Sequence, residues 1–454
     1  MASKYDYDYI IIGSGPAGRT AALGFAKSKK RIAIIEDNKY GGAEYNTRDV
    51  PYSVCLHFAH NYNNIKNYPA ISGQDLHFNF PTLVTHQSHV VNSLSNESKK
   101  ALDESGVTCI SGQAHFIDSH TIAVGSNKYT SANFIIATGA KDKNGEISGL
   151  EEVNHLTPDT ALRISRLPKY AFVVGGGPTG CEIAEYYAEL GTKVIIMERS
   201  TRLLPHEDEE TSAVIKDYFE NELGIMVVTG AKVVAIEQDN VSKRVIFTNG
   251  SQEKFVRIDC IVLATGSEPY LDLGLENAGV KYKNTGIVAD KYFQTSTKHI
   301  YAIGDVIGCV KSSTERAEYQ ASLLVNNLLR RTKTPANYRG FIRHIDTYPE
   351  VASIGLNEYD LISRDRKYKK SIVYLKELSA SKVNQFDYGF VKLLVDSSNR
   401  LLGATIVAPN ATSLAEKLAL ALRHHISITE IASTPHLANS FGEAIKQAAR
   451  KLIK

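Results

Sequence analysis

Cysteine is scarce in this chain and spaced against cooperation. Its five residues, Cys55, Cys109, Cys181, Cys260 and Cys309, lie far apart, and no Cys-x-x-Cys pair occurs. Neither a cysteine-ligated zinc site nor a disulfide framework is therefore expected, and a cytoplasmic, reducing compartment fits. Long apolar runs are missing too, since no stretch reaches the ~20 residues of a membrane-spanning helix. No signal peptide is expected, because the chain enters a strand-like segment almost at once. A strong charge of either sign is also absent. The formal net charge is +3 over 454 residues, too small and too dispersed for a nucleic-acid partner. Basic runs such as 367–370 and Arg330-Arg331 read as solvated faces. The length exceeds one ordinary core, so two or three domains are expected.

What the chain does have is one glycine pattern written twice. The β-branched run 9–12 leads into Gly13-Ser14-Gly15-Pro16-Ala17-Gly18, then a helix-forming segment, then a second apolar run ending at Glu36. In that setting Gly13 permits the turn, Gly15 lets a pyrophosphate approach the backbone, and Gly18 lets helix and strand pack closely. The helix start presents its positive end to phosphate, and Glu36 is placed to accept from ribose hydroxyls. Residues 171–174 lead in the same way into Gly175, Gly177 and Gly180, and the following strand ends at Glu198. Two dinucleotide sites in one chain allow FAD at one and a nicotinamide cofactor at the other. Glu198 favours NAD(H), because a 2′-phosphate would be repelled by a carboxylate. Arg199 and Arg202 offer a phosphate partners, so NADP(H) stays open.

Two further segments, 134–139 and 261–266, share the ending Ala-Thr-Gly after an apolar strand. Another apolar strand ends at Gly304-Asp305. From about Tyr338 the texture changes to alternating strands, at 348–356 and 389–395, followed by helices at about 413–424 and 441–453. Residues 41–53 read Gly-Gly-Ala-Glu-Tyr-Asn-Thr-Arg-Asp-Val-Pro-Tyr-Ser. This segment resembles the active-site signature of the FAD-dependent pyridine nucleotide-disulfide oxidoreductases, which reads Gly-Gly-Thr-Cys, four residues, then Cys-Ile-Pro-Ser-Lys. The resemblance extends over nearly the whole chain. It implies an α/β fold with two Rossmann-like dinucleotide-binding domains and a C-terminal α+β dimerisation domain. The implied limits are 1–149 with 285–338 for FAD, 150–284 for NAD(P) and 339–454 for the interface of a homodimer. It also implies FAD contacts at Gly42, Thr138, Gly139 and Asp305, and an NAD contact at Gly266.

The likeness fails where the family does its sulfur chemistry. Glu44 and Asp49 stand at the two cysteine positions, and Ser53 at the lysine. Glu182 matches the lysine's acidic partner. Thr434 and Asn439 occupy the places of the catalytic His and its Glu; His436, two positions on, reads as an ordinary loop histidine first and as one that reaches the neighbouring flavin second. Two carboxylates in a partly buried site cannot both ionise cheaply, so one should hold its proton. Arg48 neutralising both is the equal alternative. Cys55 reads as a lone buried thiol. The pairs His57/His60 and His86/His89 have only helical spacing in their favour, so no metal site is expected. The reading that results is an FAD-dependent NAD(P)H oxidoreductase without the redox disulfide. It passes hydride from NAD(P)H to FAD and on directly to a small-molecule acceptor: a quinone, O2, a metal ion or a second nicotinamide. The alternative is a catalytically retired FAD-binding redox sensor or interaction module.

Overall fold

Strand Tyr7–Ile12 lies at the centre of a parallel sheet, between Ile32–Glu36 and Asn127–Ile136. The computed structural model describes residues 4–68, 70–71, 76–143, 145, 147–238, 242–250, 252–308, 313–330 and 333–453. Cys309 and Arg331 fall outside these. The chain divides into two compact units. The first takes the residues up to Cys55, Asn79–Lys143 and Gly266–Asn337.

Both faces of the first sheet are covered, which is why its strands are apolar runs rather than alternations. Ile11, Ile34 and Ile135 point to one face and pack with Phe25, Ala21 and Leu324. Ile10, Ile12, Ile35, Phe134 and Ile136 point to the other and pack with Phe116, Leu273 and Leu275. The first face is covered by helices Pro16–Ala26 and Thr314–Arg330. They approach closely because Gly24 lies against Val325, where a Cβ would stand 3.0 Å from that side chain. Strands Thr108–Ser111 and Ile300–Ala302 extend the parallel sheet on its two sides. A meander of Ala114–Asp118 and Thr121–Val124 pairs with the first half of Asn127–Ile136.

This core corrects the expected boundary. Leu273, Leu275, Ala278 and Val280 belong to the second face of this sheet. The chain therefore rejoins the first unit at Gly266, not at 285. The rejoining piece begins with Ser267–Pro269, which pairs antiparallel with Ala140–Asp142.

The second unit holds Leu56–Phe78, Asn144–Thr265 and the chain from Tyr338 onward. The nicotinamide half and the C-terminal region both fall in this unit. Its parallel sheet runs Met226–Thr229, Lys193–Glu198, Tyr170–Val174, Cys260–Leu263. A five-stranded antiparallel sheet has the order Ile342–Ile345, Glu350–Gly355, Leu401–Ala408, Phe390–Val395, Lys369–Tyr374. Helices Ala411–Arg423 and Glu443–Ile453 lie within about two residues of the expected spans and bury Ala415, Leu418, Ile445 and Ala448. No helix among the described residues is long and apolar enough to cross a membrane.

Candidate functional site

The two glycine turns are built alike, atom for atom. Gly13 has φ +99°, and a Cβ there would stand 2.4 Å from the Ala137 carbonyl oxygen. Gly175 has φ +110°, with the corresponding approach to Ala264 at 2.2 Å. At Gly18 and Gly180 a Cβ would fall 1.8 and 1.9 Å from the carbonyl oxygens of Gly13 and Gly175. Neither helix can therefore reach its turn with any larger residue at that position. The middle glycines face the other way. A Cβ at Gly177 would meet nothing within 4 Å among the described residues, and one at Gly15 only Gly42, at 3.8 Å. Space beside the backbone and a helix start that no side chain caps fit a pyrophosphate. The residues present thus fit one dinucleotide at each turn.

Each turn is closed by its glutamate. Glu36 accepts from the Ser14 N–H at 2.9 Å, the Ser14 hydroxyl at 2.6 Å and the Asn38 N–H at 3.0 Å. Glu198 accepts from the Gly176 N–H and the Ser200 N–H, both at 2.7 Å. Burial pushes the Glu36 carboxyl above its ordinary value, against the hydrogen bonds from Ser14 and Asn38. Arg202 is engaged within its own loop: it donates to the carbonyls of Pro205 and Glu207 and pairs with Glu209 at 3.1 Å.

The Gly41-Gly42 segment is docked on the first turn. The Gly41 N–H donates to the Ser14 hydroxyl at 3.1 Å. Gly42 has φ +60°, and a Cβ on it would stand 2.6 Å from the Gly15 Cα. Asn46 holds the short helix Gly42–Asn46 by donating to the carbonyls of Tyr40 and Gly42 at 3.1 and 2.8 Å. Glu44 projects from this helix with its side chain 13% exposed, 3.3 Å from Arg19. Burial raises its carboxyl; Arg19 opposes this, Asp49, Glu318 and Glu315 reinforce it, and the result is about 7. One raised carboxyl is what the sequence implied. The neutralising cation is different, however. Arg19 lies on Glu44, whereas Arg48 bonds Asp142. Asp49 accepts from the Thr314 hydroxyl.

Thr138 donates its hydroxyl to the Tyr270 carbonyl at 2.9 Å. Gly139 and Gly266 both have positive φ, at +67° and +105°. The Gly266 carbonyl accepts from the Lys143 N–H at 2.9 Å, which places this glycine in the first unit and not with the nicotinamide half. Gly304, whose N–H donates to Gln320 at 2.7 Å, and Asp305 open a helical turn beside Ala17. Cys55 is a buried thiol that accepts from Gln87 at 3.1 Å.

On helix Pro178–Glu189, Glu182 accepts from the Asp346 N–H at 3.1 Å. Two further acids on that helix were not singled out from the sequence. Glu185 is fully buried and accepts from the Tyr348 N–H at 2.9 Å through both oxygens. Glu189 meets Nδ1 of His60 at 2.7 Å. Burial, reinforced by the charge of Glu189, drives the Glu185 carboxyl well above the ordinary range. His57, one turn before His60, is exposed and bonds Asn61. The signal available in sequence was three glutamates on one face of a helix that otherwise buries Ile183, Ala184 and Tyr187. His436 lies in a loop after helix Ile428–Ser433, its Nδ1 2.9 Å from the Thr434 carbonyl. Burial and the charges of Lys417 and Lys446 hold it below its ordinary value, against the bond to Thr434. Leu437 beside it is 79% exposed.

Residues 7–322 match the family described as pyridine nucleotide-disulphide oxidoreductase, and residues 343–449 match its dimerisation domain. The chain belongs to the pyridine nucleotide-disulphide oxidoreductases. Members of that family are FAD-dependent and use NAD(P)H, the pair of cofactors that the two turns fit. A mercuric reductase of Staphylococcus aureus is 32% identical over 454 residues, covering 98% of this chain and 82% of that one. A dihydrolipoyl dehydrogenase of Staphylococcus aureus is 28% identical, covering 98% and 96%. Among solved structures, the HOCl-induced flavoprotein disulfide reductase of Escherichia coli superposes with a TM-score of 0.88 over 99% of this chain and 100% of that one. At 24% identity it speaks for the fold alone.

Proposed function

We propose that the chain is an FAD-dependent NAD(P)H oxidoreductase, with NADH preferred, that reduces a small-molecule acceptor without a protein dithiol. The observation that carries this reading is Glu44. A carboxyl raised to about 7 sits in the segment 41–53, which contains no cysteine and is docked on the first dinucleotide turn. Gly13, Gly15, Gly18, Glu36 and Gly42 would hold FAD, together with Thr138, Gly139 and Asp305. Gly175, Gly177, Gly180 and Glu198 would hold the nicotinamide cofactor. Bound there, the two supply the hydride and its onward delivery. The chain's own part is to position them and to manage a proton. Near neutrality Glu44 is divided between acid and carboxylate, so it is suited to donating a proton to an acceptor as that acceptor is reduced. Asp49, which accepts from Thr314, adds charge that discourages ionisation of Glu44.

Two features support NADH over NADPH. Glu198 presents a carboxylate at the strand end, and Arg202 is already engaged by two carbonyls and Glu209. Among acceptors, relatives named mercuric reductase make a metal ion the first to test; quinones, O2 and a second nicotinamide follow. The dimerisation domain supports a homodimer, in which the exposed loop of His436 and Leu437 is available to a partner subunit. Scattered cysteines without a Cys-x-x-Cys pair are in keeping with a cytoplasmic setting.

The test begins with anaerobic mixing of the purified yellow protein with NADH. Prompt bleaching of the flavin band is expected, followed by recolouring with one acceptor of a screened set. Persistent colour under NADH would favour the retired sensor or interaction module. Turnover of lipoamide or glutathione disulfide would overturn the claim that no dithiol is used.

A further inference from the structure

We propose that His60, Glu185 and Glu189 form a binding site for a divalent first-row cation of the zinc type. One ligand atom from each of the three lies within 4.8 Å of the other two. Glu185 and Glu189 stand one turn apart on helix Pro178–Glu189, hence on one face; His60 comes from helix Asp49–Lys66. Glu189 is 3% exposed, and its Oε1 is buried with no hydrogen-bond partner among the described residues. A carboxylate oxygen left bare in the interior is costly, and a bound cation removes that cost.

The histidine is set for the same task. Its Nε2 faces the Asp346 carbonyl at 3.4 Å. A proton on Nε2 turns the Nδ1 lone pair toward Glu189, 2.7 Å away. Lone pair and carboxylate repel unless something positive lies between them. An imidazole whose far nitrogen donates to a backbone carbonyl is the common arrangement of a metal-bound histidine. The Tyr348 N–H orients Glu185 in the same manner.

A second acidic cluster shows what completion looks like. Asp208, Glu210 and Glu358 also gather within 4.8 Å, and the ammonium of Lys392 bonds all three at 2.7, 2.8 and 2.8 Å. Around Glu185 and Glu189 no lysine or arginine plays that part among the described residues; His60 is the one basic partner. One imidazole nitrogen and two carboxylates suit zinc and its neighbours better than calcium or magnesium, which take all-oxygen shells of six or more. The His60 side chain is 17% exposed, which gives an ion a way in.

The experiment uses the full-length, FAD-loaded protein, stripped with chelator, given one equivalent of zinc chloride and passed through gel filtration. One zinc per chain should be retained, and excess magnesium should not displace it. Glu189→Gln should weaken retention by at least about tenfold. The double variant Glu44→Gln/Asp49→Asn should retain it unchanged, which separates this site from the carboxylates of the proposed reaction. Loss of zinc from the wild type on the column, as expected if only a proton bridges His60 and Glu189, would overturn the proposal. So would equal retention by Glu189→Gln. Should that variant not fold, anomalous scattering at the zinc edge from wild-type crystals decides: a peak at His60 supports the site, and a peak elsewhere or none refutes it.

Discussion

Lys392 and Glu44 anchor two clusters of the same ingredients, carboxylates around a cation, and the two titrate in opposite directions. Lys392 is fully buried in the inner strand Phe390–Val395, yet its ammonium makes three bonds of 2.8 Å or less. Burial alone would raise the Glu358 carboxyl. Hydrogen bonds from Lys392, Tyr368 and Lys370 outweigh it and bring Glu358 down to about 2. At Glu44 the cation is Arg19, 3.3 Å away, equally close to Glu318, and stacked on the Tyr45 ring at 4.5 Å. One long contact, shared with a second acid, does not balance burial. Short bonds in number lock a charge; a single divided one leaves a proton free to move. The first arrangement holds a fold together, and the second is the kind found at reactive sites.

The sharpest way to break the comparison is Lys392→Met. Three carboxylates would be left without their ammonium, and stability should fall by about 3–5 kcal/mol in urea unfolding at pH 7. Next comes Glu358→Gln. The folded carboxyl is depressed from 4.5 to about 2, so its contribution is complete above 4.5 and disappears as pH falls toward 2. The variant should cost about 2–3 kcal/mol at pH 7 and almost nothing near pH 2. Glu44→Gln should go the other way. Here the folded value is raised from 4.5 to about 7, so the folded state holds a proton that the unfolded chain releases, and stability declines as pH rises through that window. Replacing the acid should stabilise the protein by about 1–2 kcal/mol at pH 8 and leave it unchanged at pH 4. It should also remove the step near pH 7 from the pH profile of acceptor reduction. The smallest effect is expected of Arg19→Met: that step should move upward by about one pH unit, and a step that stays in place would show that Arg19 has no hold on Glu44.

Both nucleotide halves were legible because their determinants are local. Strand, glycine turn, helix and acid follow one another within a short stretch, and the outer glycines of each turn, Gly13 and Gly18, Gly175 and Gly180, are required by collisions that any side chain would cause. The C-terminal sheet and helices were legible for the same reason, through alternation and helical spacing. What escaped was decided by contacts between distant segments. Arg48 is four positions from Glu44, but the fold turns it to Asp142 and brings Arg19 from the preceding helix instead. His60 and Glu189 are separated by well over a hundred positions, and nothing near either announces the other. Lys392 reads as a surface residue, yet it is among the most buried side chains of its strand. The return at Gly266 was missed because residues 271–280 show no strand pattern, although they fill the open face of the first sheet.

Gly42 leans so closely on Gly15 that a methyl group on it would stand 2.6 Å from the Gly15 Cα and displace that backbone. The acidic segment therefore has no independent address: it is a rider on the first glycine turn. Were FAD to settle on that turn, as proposed, the shift would pass through Gly42 to the surroundings of Glu44 and so to its proton affinity. Under that proposal a neutral-range titration of Glu44 would report on occupancy as well as on acidity.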